Sequence, residues 1–279
     1  MAEAKEDGCF DFPGTISADG FNDRIPRSSS GGARTLMSND RFRGQVALVT
    51  GASSGIGRAV SLAYARLGGS VYVCGRSAER LEDVARLARS FSTDATVCPC
   101  ELAREDDLRR LTEQVRRQAP RLDLLVHAAG HYVAGRVAEV PATDLDALYA
   151  ANVRAPYFLT RELLPLLRHS RGQIVFINST VVFGSEPGVA AYAMTKHALK
   201  GFADHLRAEV NDDGIRVLSV FPGRTATPMQ ERIYAAEGKP YDPARLLQPE
   251  DVATAVIGAV SLPQSAEVME IRVRPRVKS

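Results

Sequence analysis

Residues 46–57 read VALVTGASSGIG. An unbroken apolar run, Val46 to Val49, leads into three glycines within eight residues, and the amphipathic stretch RAVSLAYARLG (58–68) follows. Apolar residues without polar alternation are the mark of a strand covered on both faces. The helical pattern after it stops at Gly68 and Gly69, as a helix end requires. In a strand–turn–helix unit of this kind a phosphate can rest on backbone N–H groups at the helix N-terminus. Gly51 lets the chain turn out of the strand, Gly55 lets a diphosphate approach the backbone, and Gly57 lets the helix pack close to the sheet. Ser53 and Ser54 add hydroxyl donors. The spacing is GxxxGxG and not the commoner GxGxxG. A phosphate-loop nucleotidase is excluded, because the Gly-Lys-Ser/Thr ending is missing.

The same alternation continues down the chain. Further strand candidates are SVYVCG (70–75), ATVCPC (95–100), LDLLVHA (122–128), QIVFIN (173–178), IRVLSVF (215–221) and VMEIRV (268–273), with helical patterns between them. The expected fold is therefore α/β, a single doubly wound Rossmann-type domain. Its parallel sheet has about seven strands and helices on both faces.

The composition, 45% hydrophobic and 24% charged over 279 residues, suffices for one sizeable core. A net charge of +2, with no long run of Lys or Arg, gives no reason to expect nucleic acid. No apolar stretch has the length of a membrane span, and MAEAKEDGCFDFPG lacks the pattern of a secretory signal. Cys9, Cys74, Cys98 and Cys100 have neither redox nor zinc spacing. Reduced thiols and a cytoplasmic location are expected. Residues 1–36, which include SSSGG (28–32), have no structural period and read as a disordered extension, with Met37 as the start of the domain.

Three sites carry chemistry. Tyr192 and Lys196 are four residues apart in YAMTKHALKGFADHLRAEV, so they share one helix face. A phenol with a pKa near 10 is a poor acid or base at neutral pH, and a nearby cation can lower it. Ser179 stands at the C-terminal end of the QIVFIN strand, the edge where open α/β sheets bind ligands. Its hydroxyl can stabilise charge developing on a substrate oxygen. Asn152 lies in a helical pattern four residues before Pro156. Proline has no N–H, so the carbonyl of Asn152 is released and the helix should kink there.

TGASSGIG (50–57), HAAG (127–130), Asn152, Ser179, Tyr192-Ala-Met-Thr-Lys196 and Pro222-Gly223 together resemble the short-chain dehydrogenase/reductase family over about residues 43–275. The resemblance implies a catalytic set of Asn152, Ser179, Tyr192 and Lys196. Tyr192 would transfer the proton, and Lys196 would lower its pKa and bind the nicotinamide ribose. The Asn152 main chain would hold a water that links Lys196 to solvent. Cofactor contacts would come from Gly51, Ser53, Ser54, Gly55, Ile56 and Gly57, and from Ala129 and Gly130. Glu101 and Leu102 would meet the adenine, and Pro222, Gly223, Thr225 and Thr227 would pass the nicotinamide. His127 replaces the usual asparagine of the HAAG motif and reads as a structural hydrogen-bonding residue.

Gly75 occupies the position where an NAD enzyme keeps a carboxylate for the ribose 2′-hydroxyl, and Arg76 follows it. Without that carboxylate a 2′-phosphate is not repelled, and a charged hydrogen bond from Arg76 would hold it. NADP(H) is expected over NAD(H). The resemblance makes residues 224–247 a substrate lid, and makes the protein a homotetramer or homodimer with the Tyr192 helix and its predecessor at one interface. The expected reaction interconverts a secondary alcohol and a ketone. A 3-oxoacyl thioester reductase and a non-catalytic NADP(H)-binding sensor or scaffold remain as alternatives.

Overall fold

The VALV run forms the strand next to the central one of a seven-stranded sheet. The computed structural model describes residues 40–91 and 93–276; the extension expected at 1–36 and its boundary at Met37 lie outside them, as does Cys9. The strands are β1 (Val46–Thr50), β2 (Ser70–Gly75), β3 (Ala95–Pro99), β4 (Leu124–His127), β5 (Gln173–Ile177), β6 (Arg216–Pro222) and β7 (Glu270–Val273). They pair in the order β3-β2-β1-β4-β5-β6-β7, and every pair is parallel. The helices are α1 (Gly55–Arg66), α2 (Ala78–Arg89), α3 (Glu105–Gln118), α4 (Ala142–Tyr149), α5 (Ala155–Ser170), α6 (Ala190–Val210), α7 (Pro228–Ala236) and α8 (Pro249–Val260). This is the expected Rossmann-type arrangement.

Successive residues of each strand serve opposite layers. Ala47 and Val49 pack with Val60 of α1, Leu81 of α2 and Val252 of α8. Val46 and Leu48 pack with Leu108 of α3, Leu159 of α5 and Leu199 of α6. Both layers are apolar, which is why the strands show no polar alternation. Leu48 lies beside Tyr72 of β2 and Leu125 of β4. The strand order reverses between β1 and β4, so a crevice opens at their C-terminal ends.

Ahead of Pro156 the helical run changes form. Residues Ala150–Arg154 widen into a π-turn between α4 and α5, and the Ala155 N–H reaches back to the Ala150 carbonyl. The wide turn absorbs the donor that proline lacks. Residues 224–247 leave β6, carry α7 and return beside their starting point. Ala226 N donates to Leu247 O at 2.7 Å, and Leu247 N donates to Arg224 O at 3.1 Å.

Candidate active site

Gly51 and Gly57 draw β1, α1 and β4 together. Gly51 adopts a positive φ of 67°, and a Cβ there would lie 2.7 Å from Ala129 N. A Cβ on Gly57 would lie 2.5 Å from Gly51 O. Thr50, which sequence reading left unassigned, completes the junction. Its buried Oγ1 accepts from Ala128 N and Ala129 N, both at 3.2 Å.

A cleft of about 610 Å³ runs from this junction along the C-terminal edge of the sheet. Gly51, Ser53, Ser54, Gly55, Ile56 and Gly57 line it, with Arg76, Glu101 and Leu102 nearby. Ala129, Gly130, Ser179, Tyr192 and Lys196 also line it, as do Pro222, Gly223, Thr225 and Thr227. Asn152 stands behind this wall rather than in it.

Asn152 is 1% exposed, and its carboxamide is fully engaged. Oδ1 accepts from His131 N at 2.7 Å. Nδ2 donates to His131 O at 2.9 Å and to Thr195 Oγ1 at 3.0 Å. Thr195 in turn donates to Tyr192 O at 2.8 Å. The side chain thus ties the loop after β4 to the turn of α6 that bears Tyr192 and Lys196. The sequence directed attention to the main chain of Asn152 and missed this side-chain clamp.

Lys196 is held at both ends by the last residue of β5 and the residue after it. Its Nζ donates to Ile177 O at 3.0 Å, and its own carbonyl accepts from Asn178 Nδ2 at 3.1 Å. Asn178 is 4% exposed, and its Oδ1 is buried without a hydrogen-bond partner while the residue lines the cleft. This residue too was invisible in the sequence, because an asparagine at a strand end has many ordinary uses.

Burial sets the proton chemistry. It pushes the Tyr192 phenol up to about 12; a hydrogen bond with the Ser179 side chain opposes the rise, and the neighbouring Tyr132 adds to it. Burial also pushes Lys196 down to about 8. The Lys196 ammonium is 5.8 Å from the centre of the Tyr192 ring. Desolvation is the largest influence on the phenol. Ser179 accepts from Val181 N at 3.2 Å, which fixes its Oγ at the start of the short turn Thr180–Phe183.

Thr227 caps α7 by accepting from Gln230 N at 3.2 Å, and a Cβ on Gly55 would come within 2.9 Å of its methyl group. Thr225 is 5% exposed and donates to Gly223 O at 2.9 Å. Arg76 is largely exposed and stands 3.9 Å from Glu101 Oε2; Arg80, unnoticed in the sequence, lines the same end of the cleft. His127 has the structural place expected of it. It is buried, its Nε2 lies 3.0 Å from Thr160 Oγ1, and its ring stacks on Phe176.

The arrangement fits an extended dinucleotide. Bare backbone at Gly51 and Gly55 faces one part of the cleft, and Gly130 leaves open space whose nearest neighbours include Lys196 Nζ, 3.9 Å from where a Cβ would stand. Among the described residues, no group of three or more His, Cys, Asp or Glu could hold a metal ion, and no helix is long and apolar enough to cross a membrane.

Comparison with known proteins agrees with this geometry. The model of the family described as short chain dehydrogenase matches residues 45–238. The chain belongs to the short chain dehydrogenase family. It is 33% identical over 239 residues to an uncharacterized short-chain type dehydrogenase/reductase of Sinorhizobium fredii, covering 84% of this chain and 92% of the relative. A short chain dehydrogenase of Shigella flexneri complexed with NADP superposes with a TM-score of 0.77 at 29% identity, over 84% of this chain and 99% of that one. L-sorbose reductase of Gluconobacter frateurii, complexed with NADPH and L-sorbose, gives 0.77 at 25% identity, over 84% and 97%. As a member of this family, the protein is an oxidoreductase of the dehydrogenase/reductase type.

Proposed function

We propose that the protein is an NADP(H)-dependent oxidoreductase that interconverts a secondary alcohol and a ketone, with Tyr192 as the proton donor and acceptor. The observation that carries this reading is the meeting of Ser179, Tyr192 and Lys196 in one cleft with the glycine turn. The cleft continues from the glycine turn to Arg76 at one end and to Tyr192 at the other.

The diphosphate would lie on the backbone of residues 51–57, the adenine near Glu101 and Leu102, and the nicotinamide beside Pro222 and Gly223. Thr225 and Thr227 would border the nicotinamide end. Lys196 would hold the nicotinamide ribose through its ammonium. The 2′-phosphate would take Arg76 from Glu101. An exposed ion pair of this kind is worth less than about 1 kcal/mol, whereas hydrogen bonds to charged groups contribute about 1.5–3 kcal/mol. When bound, the reduced cofactor supplies the hydride that the carbonyl carbon accepts.

Ser179 and Tyr192 would hold the carbonyl oxygen between their hydroxyls. The Tyr192 phenol holds its proton at neutral pH, and the alkoxide developing on the substrate, a stronger base, would draw it. Protonation of that oxygen completes the secondary alcohol. Asn152 would serve by position, holding the turn of α6 that carries the acid and the cation. A relay of the donated proton through Lys196 and the Asn152 carbonyl is consistent with the widened turn at 150–154.

Residues 224–247 would cover the substrate, since α7 begins at the glycine turn and lines the cleft through Met229 and Ile233. The relative crystallised with L-sorbose favours a polar carbonyl compound over a long acyl thioester. A sensor without turnover has no evident use for the assembled Ser179, Tyr192 and Lys196. Exposed Tyr157 and Met194 on α5 and α6 favour a homo-oligomer formed through those helices.

Oxidation of NADPH and NADH by the purified protein, followed against a broad panel of ketones, tests the reading. Turnover of ketones with NADPH is expected. Tight NADPH binding without turnover of any carbonyl compound would replace it with the sensor reading.

A further inference from the structure

The cleft contains a second phenol that the reaction just described does not use. Tyr132 lies two residues beyond Gly130, in the loop after β4, and is half-buried. Its ring meets the Tyr192 ring edge-on with centroids 5.0 Å apart. Among the described residues, no protein group makes a hydrogen bond to its hydroxyl. A half-buried phenol left without a protein partner, one ring width from the reacting centre, is available to the substrate.

The surroundings of Tyr132 are polar. Arg224 and Glu237 form an ion pair at 3.0 Å, and the Arg224 guanidinium lies over the Tyr234 ring at 4.9 Å. Arg224, Glu237 and Glu186 all line the cleft with Tyr132 and lie close enough to act on its titration. Burial raises the Tyr132 pKa, Glu237 and Glu186 add to the rise, and Arg224 opposes it. The hydroxyl is therefore present as a neutral donor and acceptor at physiological pH. Arg224 is already paired with Glu237, which Lys239 also meets at 2.8 Å.

We infer that Tyr132 holds a second oxygen of the substrate, so that the enzyme acts on ketones bearing a hydroxyl or carbonyl group on the adjoining carbon. The inference rests on the reductase reading above. With the carbonyl oxygen between Ser179 and Tyr192, a substituent on the adjoining carbon would come within reach of Tyr132, whose ring lies against that of Tyr192 in the same cleft. An oxygen there would pair with the phenol. A methyl group cannot, and sites built around such a bond discriminate strongly against substrates that lack the partner.

The test uses two ketones that differ by one hydroxyl, 3-hydroxybutan-2-one and butan-2-one, with the full chain, NADPH and the Tyr132→Phe variant. The wild type should prefer the hydroxyketone by at least thirtyfold in kcat/KM. In Tyr132→Phe that preference should fall at least tenfold, mainly through KM. Calorimetric binding in the presence of NADP+ provides a second readout: butane-2,3-diol should bind the wild type more tightly than butan-2-ol does, and the variant should lose most of the difference. Tyr132→Phe retains the ring, so its thermal unfolding should match that of the wild type. Equal use of the two ketones by the wild type, or an unchanged preference in the variant, would overturn the inference and leave the reductase reading standing. So would reduction of other ketones but neither of these. Failure to reduce any carbonyl compound despite NADPH binding would overturn both.

Discussion

Asn152 donates through Nδ2 to Thr195 Oγ1 at 3.0 Å, joining the π-turn of one helical segment to the turn of α6 that carries Tyr192 and Lys196. The π-turn exists because Pro156 cannot complete a regular helix, and it leaves Asn152 facing both α6 and the His131 backbone. A backbone irregularity is thereby converted into a clamp on the proposed acid.

Asn152→Ala removes three hydrogen bonds, one buried and two partly buried, and leaves Thr195 and the His131 backbone without these partners. Such losses cost about 1–3 kcal/mol, so thermal unfolding should come about 2–12 °C lower. If the clamp positions the acid, kcat should fall at least tenfold while the NADPH dissociation constant changes little. Differential scanning calorimetry and steady-state kinetics on the same preparation check both. A destabilised variant with unchanged kcat would reduce Asn152 to a packing residue.

Arg76→Ala removes one of the two cations, with Arg80, at the end of the cleft that would meet the 2′-phosphate. The loss of a charged hydrogen bond worth about 1.5–3 kcal/mol corresponds to at least about a tenfold rise in the KM for NADPH. The KM for NADH should hardly change. Measuring both constants separates the proposed contact from a general effect, since equal changes for the two cofactors would contradict it.

His127 imposes a pH dependence on stability. Burial holds its imidazole down at about 3, against an ordinary value of 6.5. Between those values the unfolded chain binds a proton that the folded protein does not, so stability falls as pH falls through that window. From pH 7 to pH 4.5 this linkage amounts to about 2–3 kcal/mol. His127→Asn has no such titration, and its loss over the same interval should be smaller by that amount. Urea unfolding at the two pH values measures the difference; parallel losses would show that His127 is not the group responsible.

The fold was legible because its determinants are local. VALV followed by TGASSGIG identifies strand, turn and helix within twelve residues, and the other strands announce themselves as apolar runs. Their ends were less legible: LDLLVHA read as a strand over 122–128, whereas β4 spans Leu124–His127. At the strand's start, the Asp123 carboxylate accepts from Val46 N. An irregularity near Pro156 was readable from one missing donor, but its form as a π-turn was not. Residues that act across long sequence intervals left no local sign. Thr50 binds the backbone of Ala128 and Ala129, Asn178 binds the Lys196 carbonyl, and Tyr132 meets Tyr192 sixty positions away. The burial of Tyr192 likewise left no local sign: the sequence shows the cation four residues on but not the packing that raises the phenol's pKa.

The central claim is that Tyr192 is the proton donor of a carbonyl reduction. Tyr192→Phe keeps the ring and its packing and removes only the hydroxyl. General acid catalysis contributes about 10²–10⁴-fold, so NADPH-dependent reduction of the best ketone should fall by that factor. NADPH binding, followed by titration of its fluorescence, should stay within about threefold of the wild type. Retention of turnover within threefold, with binding intact, would contradict the account and remove Tyr192 from the chemistry.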